Sequence, residues 1–404
     1  MSQAPDHIAQ VLDLFIARQA ERDSELGRFQ GLESDYDEEY DTPAPVYDSY
    51  LERGVTSVQA MINFAPSEFN TLWDTVSKYV ATRWNVGRGR RSATSAKDVF
   101  FMLLTVLKQA GTLEMHAESF KLKAPAFERM ILSFLAVAGP KLYFDQVEQK
   151  ARALTMTELV KNGRRFDCFP SALYATDVTF QQSNRPTGNM AEGKVYFSGK
   201  HKLYGLKVEV SVCPSGLAID ATEHEPGSTA DIQLFNKNIE FHKAQRVKTT
   251  AEYGIDDDGP LLVEFPDEWC VLVDKGYQGL GDHVRAIHPK KKPKIAFLAY
   301  EDQVINRKIS HDRIIVENFF GRLCGLWRVC SDNYRWNEDN YDMIFKTAIG
   351  LTNFHIRRNP LREADRERYH QIEARRREIG REAQRKRRLS QEKYRQRKRA
   401  HQES

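Results

Sequence analysis

Three acidic residues stand where acids are costly. Asp177 lies inside the β-branched and aromatic run LYATDVTFQ (173–181), and Asp274 ends the apolar run WCVLVD (269–274), just before Lys275, Gly276 and Tyr277. A charge within a strand pattern is unfavourable unless it is paired or holds a metal. The third acid is Glu317, in HDRIIVENFFGRLCGLWRV (311–329). At helical spacing its neighbours are Arg313, Gly321 and Cys324, while Ile315, Val316, Phe319, Phe320, Leu323 and Trp327 make the apolar side. Glu317 therefore falls on a polar stripe with small residues after it. Such carboxylates suit Mg²⁺, a hard cation that takes a few of them together with water and phosphate oxygens. Two such ions about 3.5–4 Å apart activate a nucleophile and stabilise the leaving oxygen of an in-line phosphodiester displacement. Each acid alone equally fits a strand cap, a surface group or, for Glu317, a pair with Arg313. Spacing by itself leaves both readings open.

The elements that must position these acids can be read around them. Residues 10–23 have helical spacing, and 31–50 carry seven acids and no base, followed by or including Pro43 and Pro45. Like charges this dense repel, so 1–30 is expected to hold an N-terminal helix and 31–60 an acidic disordered linker. Phe69, Leu72, Trp73, Val76 and Val80 predict an amphipathic helix after Pro66, and 97–110, 113–122 and 125–138 predict three more, the last ending at Gly139–Pro140. That makes 61–150 a helical, helix-turn-helix-like DNA-binding domain. From about 165 to 360 the pattern changes. Strands are expected at 173–181, 203–213, 217–224 and 269–274, and helices at 228–242 (with Ser228 as N-cap), 311–329 and 339–357. This order predicts an α/β layer with a mixed sheet. Residues 361–404 form a charged, helical tail with 16 bases and 8 acids.

The wording around the acids is more specific than their spacing. ATDVT (175–179), PGSTAD (226–231), LVDKGY (272–277), His288–Pro289, INRKISHDRIIVENFFGRLCGLWRV (305–329) and LTNFHI (351–356) occur in that order. From about Leu173 to Ile356 the chain resembles the DDE transposases of the PIF/Harbinger superfamily, and more distantly the bacterial IS5-type transposases. The resemblance implies an RNase H-like fold of the 165–360 segment, with Asp177, Asp274 and Glu317 as the catalytic and metal-binding triad. Arg313 would orient Glu317 or meet a phosphate. Mg²⁺, with Mn²⁺ able to substitute, would be the cofactor, as two ions. The implied partners are double-stranded DNA, both element ends and target, and a Myb-like accessory DNA-binding protein; a homo-oligomer is allowed. Two positions depart from the family's pattern: Val178 follows the first Asp where Gly is usual, and Cys324 follows Gly-Arg-Leu where Lys is common. Neither removes a metal ligand. Domesticated members that bind DNA without turnover, and nucleases that cut without joining, are the alternative functions.

Charge is distributed to match. The net charge is only +4, from 60 bases and 56 acids among 404 residues, but three segments are strongly basic. The first is 82–97, where Arg88, Arg90 and Arg91 resemble a minor-groove arm or form a basic linker. The second is 285–294, where Lys290, Lys291, Lys292 and Lys294 lie between the second and third acids and should approach the scissile phosphate. The third is the tail, whose Arg385–Arg388 and Arg397–Arg399 runs suit a nuclear localisation signal or a phosphate-binding arm. This predicts a nuclear protein in a eukaryote and a cytoplasmic one otherwise. No run of about 18 apolar residues exists, which excludes a membrane helix, and MSQAPDHIAQ argues against secretion. Five scattered cysteines without a C-x-x-C pair suggest reduced thiols. Asp256–Asp258 is expected to be a surface turn, Tyr277 a packing residue, and His201, His224 and His242 no zinc site.

Overall fold

In the computed structural model the described residues are 43–88, 91–187, 190–280, 283–292 and 297–402. In chain order the elements are α1 (Pro45–Leu51), α2 (Val55–Ile62), α3 (Pro66–Ala81), α4 (Ala96–Gln109), α5 (Leu113–Ser119), α6 (Ala124–Tyr143), a π-helical turn (Phe144–Glu148), α7 (Gln149–Ala153), α8 (Met156–Lys161), β1 (Ala172–Gln182), α9 (Met190–Val195), β2 (Phe197–Ser198), β3 (Leu203–Val212), β4 (Ala218–Ala221), β5 (Glu225–Pro226), α10 (Asp231–Lys237), α11 (Ile239–Arg246), β6 (Cys270–Leu272), β7 (Ala286–Ile287), α12 (Tyr300–Leu326), α13 (Tyr341–Arg358) and α14 (Glu363–Gln402). They group into two units. One comprises the described residues through Gln146 with Arg322–Val329 and Met343–Pro360; the other comprises Val147–Gly321, Cys330–Asp342 and the described residues from Leu361 onward. None of the described helices is long and apolar enough to cross a membrane.

The helical unit is built on aromatic packing. The predicted stripe of α3 buries Phe69, Leu72, Trp73, Val76 and Val80, and Phe69 meets Tyr47 and Phe100 at ring separations of 4.7 and 5.6 Å. Tyr47 corrects the expected linker. Residues 45–51 and 55–62 are helices, and the start of α1 is capped from a distance: the Asp98 carboxylate accepts the N–H groups of Val46 and Tyr47 at 3.1 and 2.9 Å. Local charge density could not reveal a cap some fifty residues away that satisfies the orphan donors of a helix start. The remainder of the acidic run and the 10–23 helix lie outside the described residues. A second correction concerns Gly139–Pro140, which does not end α6. The helix continues to Tyr143, because Gly139 is pressed against Thr347, whose Oγ1 would lie 2.5 Å from a Cβ, and the chain then widens into the π-helical turn. Such a turn absorbs the irregularity that an interior proline creates.

The α/β unit carries a mixed sheet of seven strands, ordered β2-β3-β1-β6-β7, with β4 and β5 also paired to β3. β1 is antiparallel to β3 and parallel to β6, and β6 is parallel to β7. The predicted strands all form, with β4 and β6 shorter than their apolar runs. The expected 228–242 helix is two helices, starting from Ala230 rather than Ser228. Gln233 accepts the Ala230 N–H at 3.0 Å, and the helices are divided at Asn238, whose side chain donates to Asp220 at 2.7 Å. The acidic turn is at the surface at Asp256 and Asp258, as expected, but Asp257 between them turns inward. The Asp257 side chain is nearly inaccessible and is paired with Lys248 at 2.8 Å and with the fully buried Arg285 at 2.7 Å.

The segment expected as a tail packs with the sheet. Along α14 the buried residues Asp365, Glu373, Arg376 and Gly380 recur at spacings that keep to one helical face. Asp365 backbone closes on Gly321, and Gly380 closes on the His201 carbonyl, at approaches only glycine permits. Past Gly380 the helix is exposed through Lys398 apart from partial cover at Ala383.

Candidate active site

The parallel register of β1 and β6 brings the first two acids together. Ala175 pairs with Leu272, and Asp177 and Asp274 each lie two residues further along neighbouring strands. Strand alternation puts residues two apart on the same face; Asp177 lies in the middle of β1, and Asp274 lies two residues past the end of β6. Asp274 also opens the tight turn Lys275–Tyr277. Arg313, on α12 and almost inaccessible, spans both acids: Nη1 donates to Asp274 Oδ1 at 3.0 Å and Nη2 to Asp177 Oδ2 at 2.6 Å. Burial pushes the Asp177 carboxyl up to about 6; Arg313 opposes that rise and Asp274 reinforces it.

Glu317 follows Arg313 by one helical turn, which sets both side chains on one face of α12. It feels Arg313 electrostatically, but its direct partners come from α14. Arg366 Nε donates to Glu317 Oε2 at 3.1 Å, and His370 Nε2 lies 3.2 Å from the same oxygen. The three carboxylates do not close on one another to ligand spacing. Among the described residues, the group of three such side chains whose donor atoms all lie within 4.8 Å is Cys168, His311 and Asp312. Glu317 is held by Arg366 and His370 of α14, and Arg313 stands between the aspartates.

All three acids lie in a stretch with known counterparts. Residues 175–353 match the family model of the DDE superfamily endonucleases. The match covers 179 of the 404 residues and includes Asp177, Asp274 and Glu317. The chain is also 28% identical over 185 residues to a probable transposase for insertion sequence element IS702 from Microchaete diplosiphon, covering 46% of this chain. The chain spans 57% of that relative's length. No solved structure matches the chain significantly. Arg366 and His370 lie beyond the matched stretch of the DDE domain.

The turn after Asp274 is supported from below. Gly276 leaves room for Asp231, the acid of PGSTAD: a Cβ there would sit 2.7 Å from Asp231 Oδ2. Asp231 in turn pairs with Lys207 at 2.9 Å. Tyr277, expected to pack, is fully buried and donates to Glu209 Oε2 at 2.9 Å. Glu209 Oε1 is 2.8 Å from His242 Nε2, and His242 Nδ1 is 2.8 Å from the Tyr174 hydroxyl. Burial pushes Glu209 up to about 8 and His242 down to about 3. Near neutral pH this chain is therefore a neutral hydrogen-bond network rather than an ion pair. It ties β1, β3 and α11 to the loop of the second acid. Glu209 carries no motif signal; its only sequence clue is a lone acid in the strand LYGLKVEVSVC.

The expected DNA-contacting residues are scattered. Arg88 and Arg91 are exposed, as are Lys290, Lys291 and Lys292; Arg90 and Lys294 lie outside the described residues. The lysine loop is anchored at the start of α12. Lys290 pairs with Asp302 at 2.6 Å, and its N–H and carbonyl bind the Asn306 side chain at 2.8 and 3.0 Å. At ~1.5 Å per residue, Asn306 lies about 16 Å along the helix axis from Glu317. The anchored lysines thus stand further from the acids than the sequence suggested. In the helical unit, α5 and α6 take the places of the two helices of the helix-turn-helix expectation. The exposed set on α6 includes Glu128, Arg129 and Ser133, while Phe127, Met130, Ile131, Phe134 and Leu135 are buried.

Proposed function

We propose that this protein is a DNA transposase of the PIF/Harbinger type, a metal-dependent endonuclease and strand transferase with an RNase H-like catalytic domain. The single observation that carries the proposal is that Asp177 on β1 and Asp274, two residues past the end of the parallel strand β6, share the Arg313 guanidinium within the stretch that matches the DDE superfamily endonucleases. The residues fit divalent cations. They offer hard carboxylate oxygens, two of them brought together on one guanidinium. Asp177 and Asp274 would hold one ion and Glu317 would complete a second position. Mg²⁺ is the proposed ion, with Mn²⁺ as substitute. Bound there, the pair would polarise the phosphodiester and stabilise the leaving oxygen.

The chain's own groups then have defined tasks. The carboxylates would hold the cations, and Arg313, once released from Asp177 and Asp274, would be free to meet a non-bridging phosphate oxygen. The buried network below Asp274 keeps the loop of the second acid rigid. Water attacks phosphorus in line, the P–O3′ bond breaks, and a 3′-OH is released; that 3′-OH attacks a target phosphodiester in the second displacement. Double-stranded DNA is the substrate. The exposed Arg88, Arg91, Lys290, Lys291 and Lys292, together with Arg90, Lys294 and the outer part of α14, would engage its phosphates, and the basic runs of α14 would direct the protein to a nucleus in a eukaryotic host. A Myb-like accessory protein and self-association complete the proposed assembly.

One observation favours a second reading. Arg313 already supplies a cation to both aspartates, as would suit a domesticated protein that binds DNA without turnover. Nicking of supercoiled plasmid in Mg²⁺ or Mn²⁺ separates the two. The transposase reading expects nicking that Asp177→Asn, Asp274→Asn and Glu317→Gln each reduce by about 10³-fold, the equivalent of several kcal/mol of charge stabilisation. DNA binding without nicking in either metal would favour the second reading.

A further inference from the structure

We infer that Arg366 and His370 on α14 are positioning residues that latch Glu317, and that a divalent cation gains the third acid by displacing them. The inference rests on the proposed role of Glu317 as a metal ligand. Both contacts fall on one oxygen, Oε2, at 3.1 Å from Arg366 Nε and 3.2 Å from His370 Nε2, and Arg366 Nε also donates to His370 Nε2 at 3.2 Å.

The latch is carried by a docked helix. Asp365, one residue before Arg366, packs its backbone on Gly321, one helical turn past Glu317, so the first turn of α14 and the Glu317 face of α12 are in register. Tyr369, one residue before His370, packs on Phe320 at a ring separation of 5.3 Å and hydrogen-bonds Thr179, two residues past Asp177 on β1. The helix thereby spans from the third acid to the strand of the first. This arrangement accounts for the separation of the carboxylates: each end of the site has its own partners, Arg313 for the aspartates and Arg366 with His370 for Glu317.

The latch is weak enough to open. Arg366 is 37% exposed and His370 is 56% exposed, and ion pairs in such settings contribute little. A divalent cation coordinated by carboxylates competes easily with two solvent-screened hydrogen bonds. When it does, Arg366 and His370 are left beside the site with no change in the fold of α14.

Manganese binding to the full chain, read as loss of the free Mn²⁺ electron paramagnetic resonance signal, tests this without relying on activity. Glu317→Gln identifies the binding event that depends on the third acid. The double variant Arg366→Gln/His370→Gln should bind Mn²⁺ at that site about fivefold more tightly, the equivalent of two exposed pairs. Arg366→Lys, which keeps the charge, should stay near the wild type. Should the double variant fail to fold, His370→Gln alone should still tighten binding by about twofold. Unchanged or weaker affinity in folded latch variants, with the Glu317-dependent event intact, overturns the latch and leaves the metal site standing. Manganese binding that Glu317→Gln does not alter overturns the metal site and the latch together.

Discussion

Gly380→Ala has opposite signs for a free and a docked α14. In a solvated helix, replacing an interior glycine by alanine stabilises by up to ~1 kcal/mol, because glycine gives up more conformational freedom. In the docked helix an added Cβ would sit well under 3.0 Å from the His201 carbonyl oxygen and 3.2 Å from Lys202 Cβ. The main obstacle is backbone, so no side-chain rotation relieves it and the helix must lift. Overpacking of this kind costs about 1–3 kcal/mol, and a backbone clash belongs at the upper end, leaving a net loss of about 2 kcal/mol. For a unit of this size that is a fall in Tm of roughly 4–8 °C. Limited trypsin digestion provides a local readout: the arginines between Arg362 and Arg377, held by the docked face, should be cut sooner in the variant. A Gly380→Ala protein that is more stable than the wild type, with an unchanged digestion pattern, would refute the docking.

Three further outcomes are expected. Burial holds Glu209 up at about 8 against an ordinary value of 4.5, so the folded state binds more protons than the unfolded state in between and stability falls as pH rises across that window; Glu209→Gln should flatten this fall in urea titrations and cost under ~1 kcal/mol near neutrality, whereas Glu209→Ala, which strands Tyr277 and His242, should cost about 3 kcal/mol. Asp257 behaves oppositely. Burial works against its charge, but hydrogen bonds from Arg285, Lys248 and the Gly259 N–H overcome it and hold the carboxyl at about 2; its stabilising contribution of about 2 kcal/mol is present above pH ~4 and is lost as pH falls towards 2, and Asp257→Asn should remove it at neutral pH. Replacing Lys290, Lys291, Lys292 and Lys294 by Gln should weaken DNA binding for all sequences alike and reduce the slope of log affinity against log salt by about 3, since Lys290 is already partly neutralised by Asp302; an unchanged slope would remove the loop from the DNA-contacting surface.

How much of this was legible in the sequence depends on which signal each element carries. β1, β3 and β6 are apolar, β-branched runs, and α3 has an uninterrupted 3.6-residue stripe, so both types were readable from periodicity. Asp177 and Asp274 stood out because each is a charge in such a run. The docking of α14 was not readable: its inward face is Asp365, Tyr369, Glu373, Arg376 and Gly380, and a stripe of charges and glycine registers as solvated surface on any hydrophobic scale. The same blindness hid α1, whose N-terminal donors are satisfied by Asp98 far along the chain, and Asp257, whose partners Lys248 and Arg285 are met only in the folded sheet. Arg313 was picked out as a partner of Glu317, one turn away. The fold instead turns it to the two aspartates, a choice that depends on the register of β1 and β6. Tertiary pairing of charges leaves no local pattern, and in this protein such pairing surrounds the site.

The central claim is that the two aspartates hold a metal that Arg313 now displaces. Anomalous diffraction from crystals of the full chain grown with Mn²⁺ and a DNA duplex tests it most directly. The account predicts an anomalous peak within coordination distance of Asp177 and Asp274, with Arg313 turned away from both carboxylates and towards a phosphate. Arg313 still bridging Asp177 and Asp274, with no peak between them at saturating Mn²⁺, would contradict it.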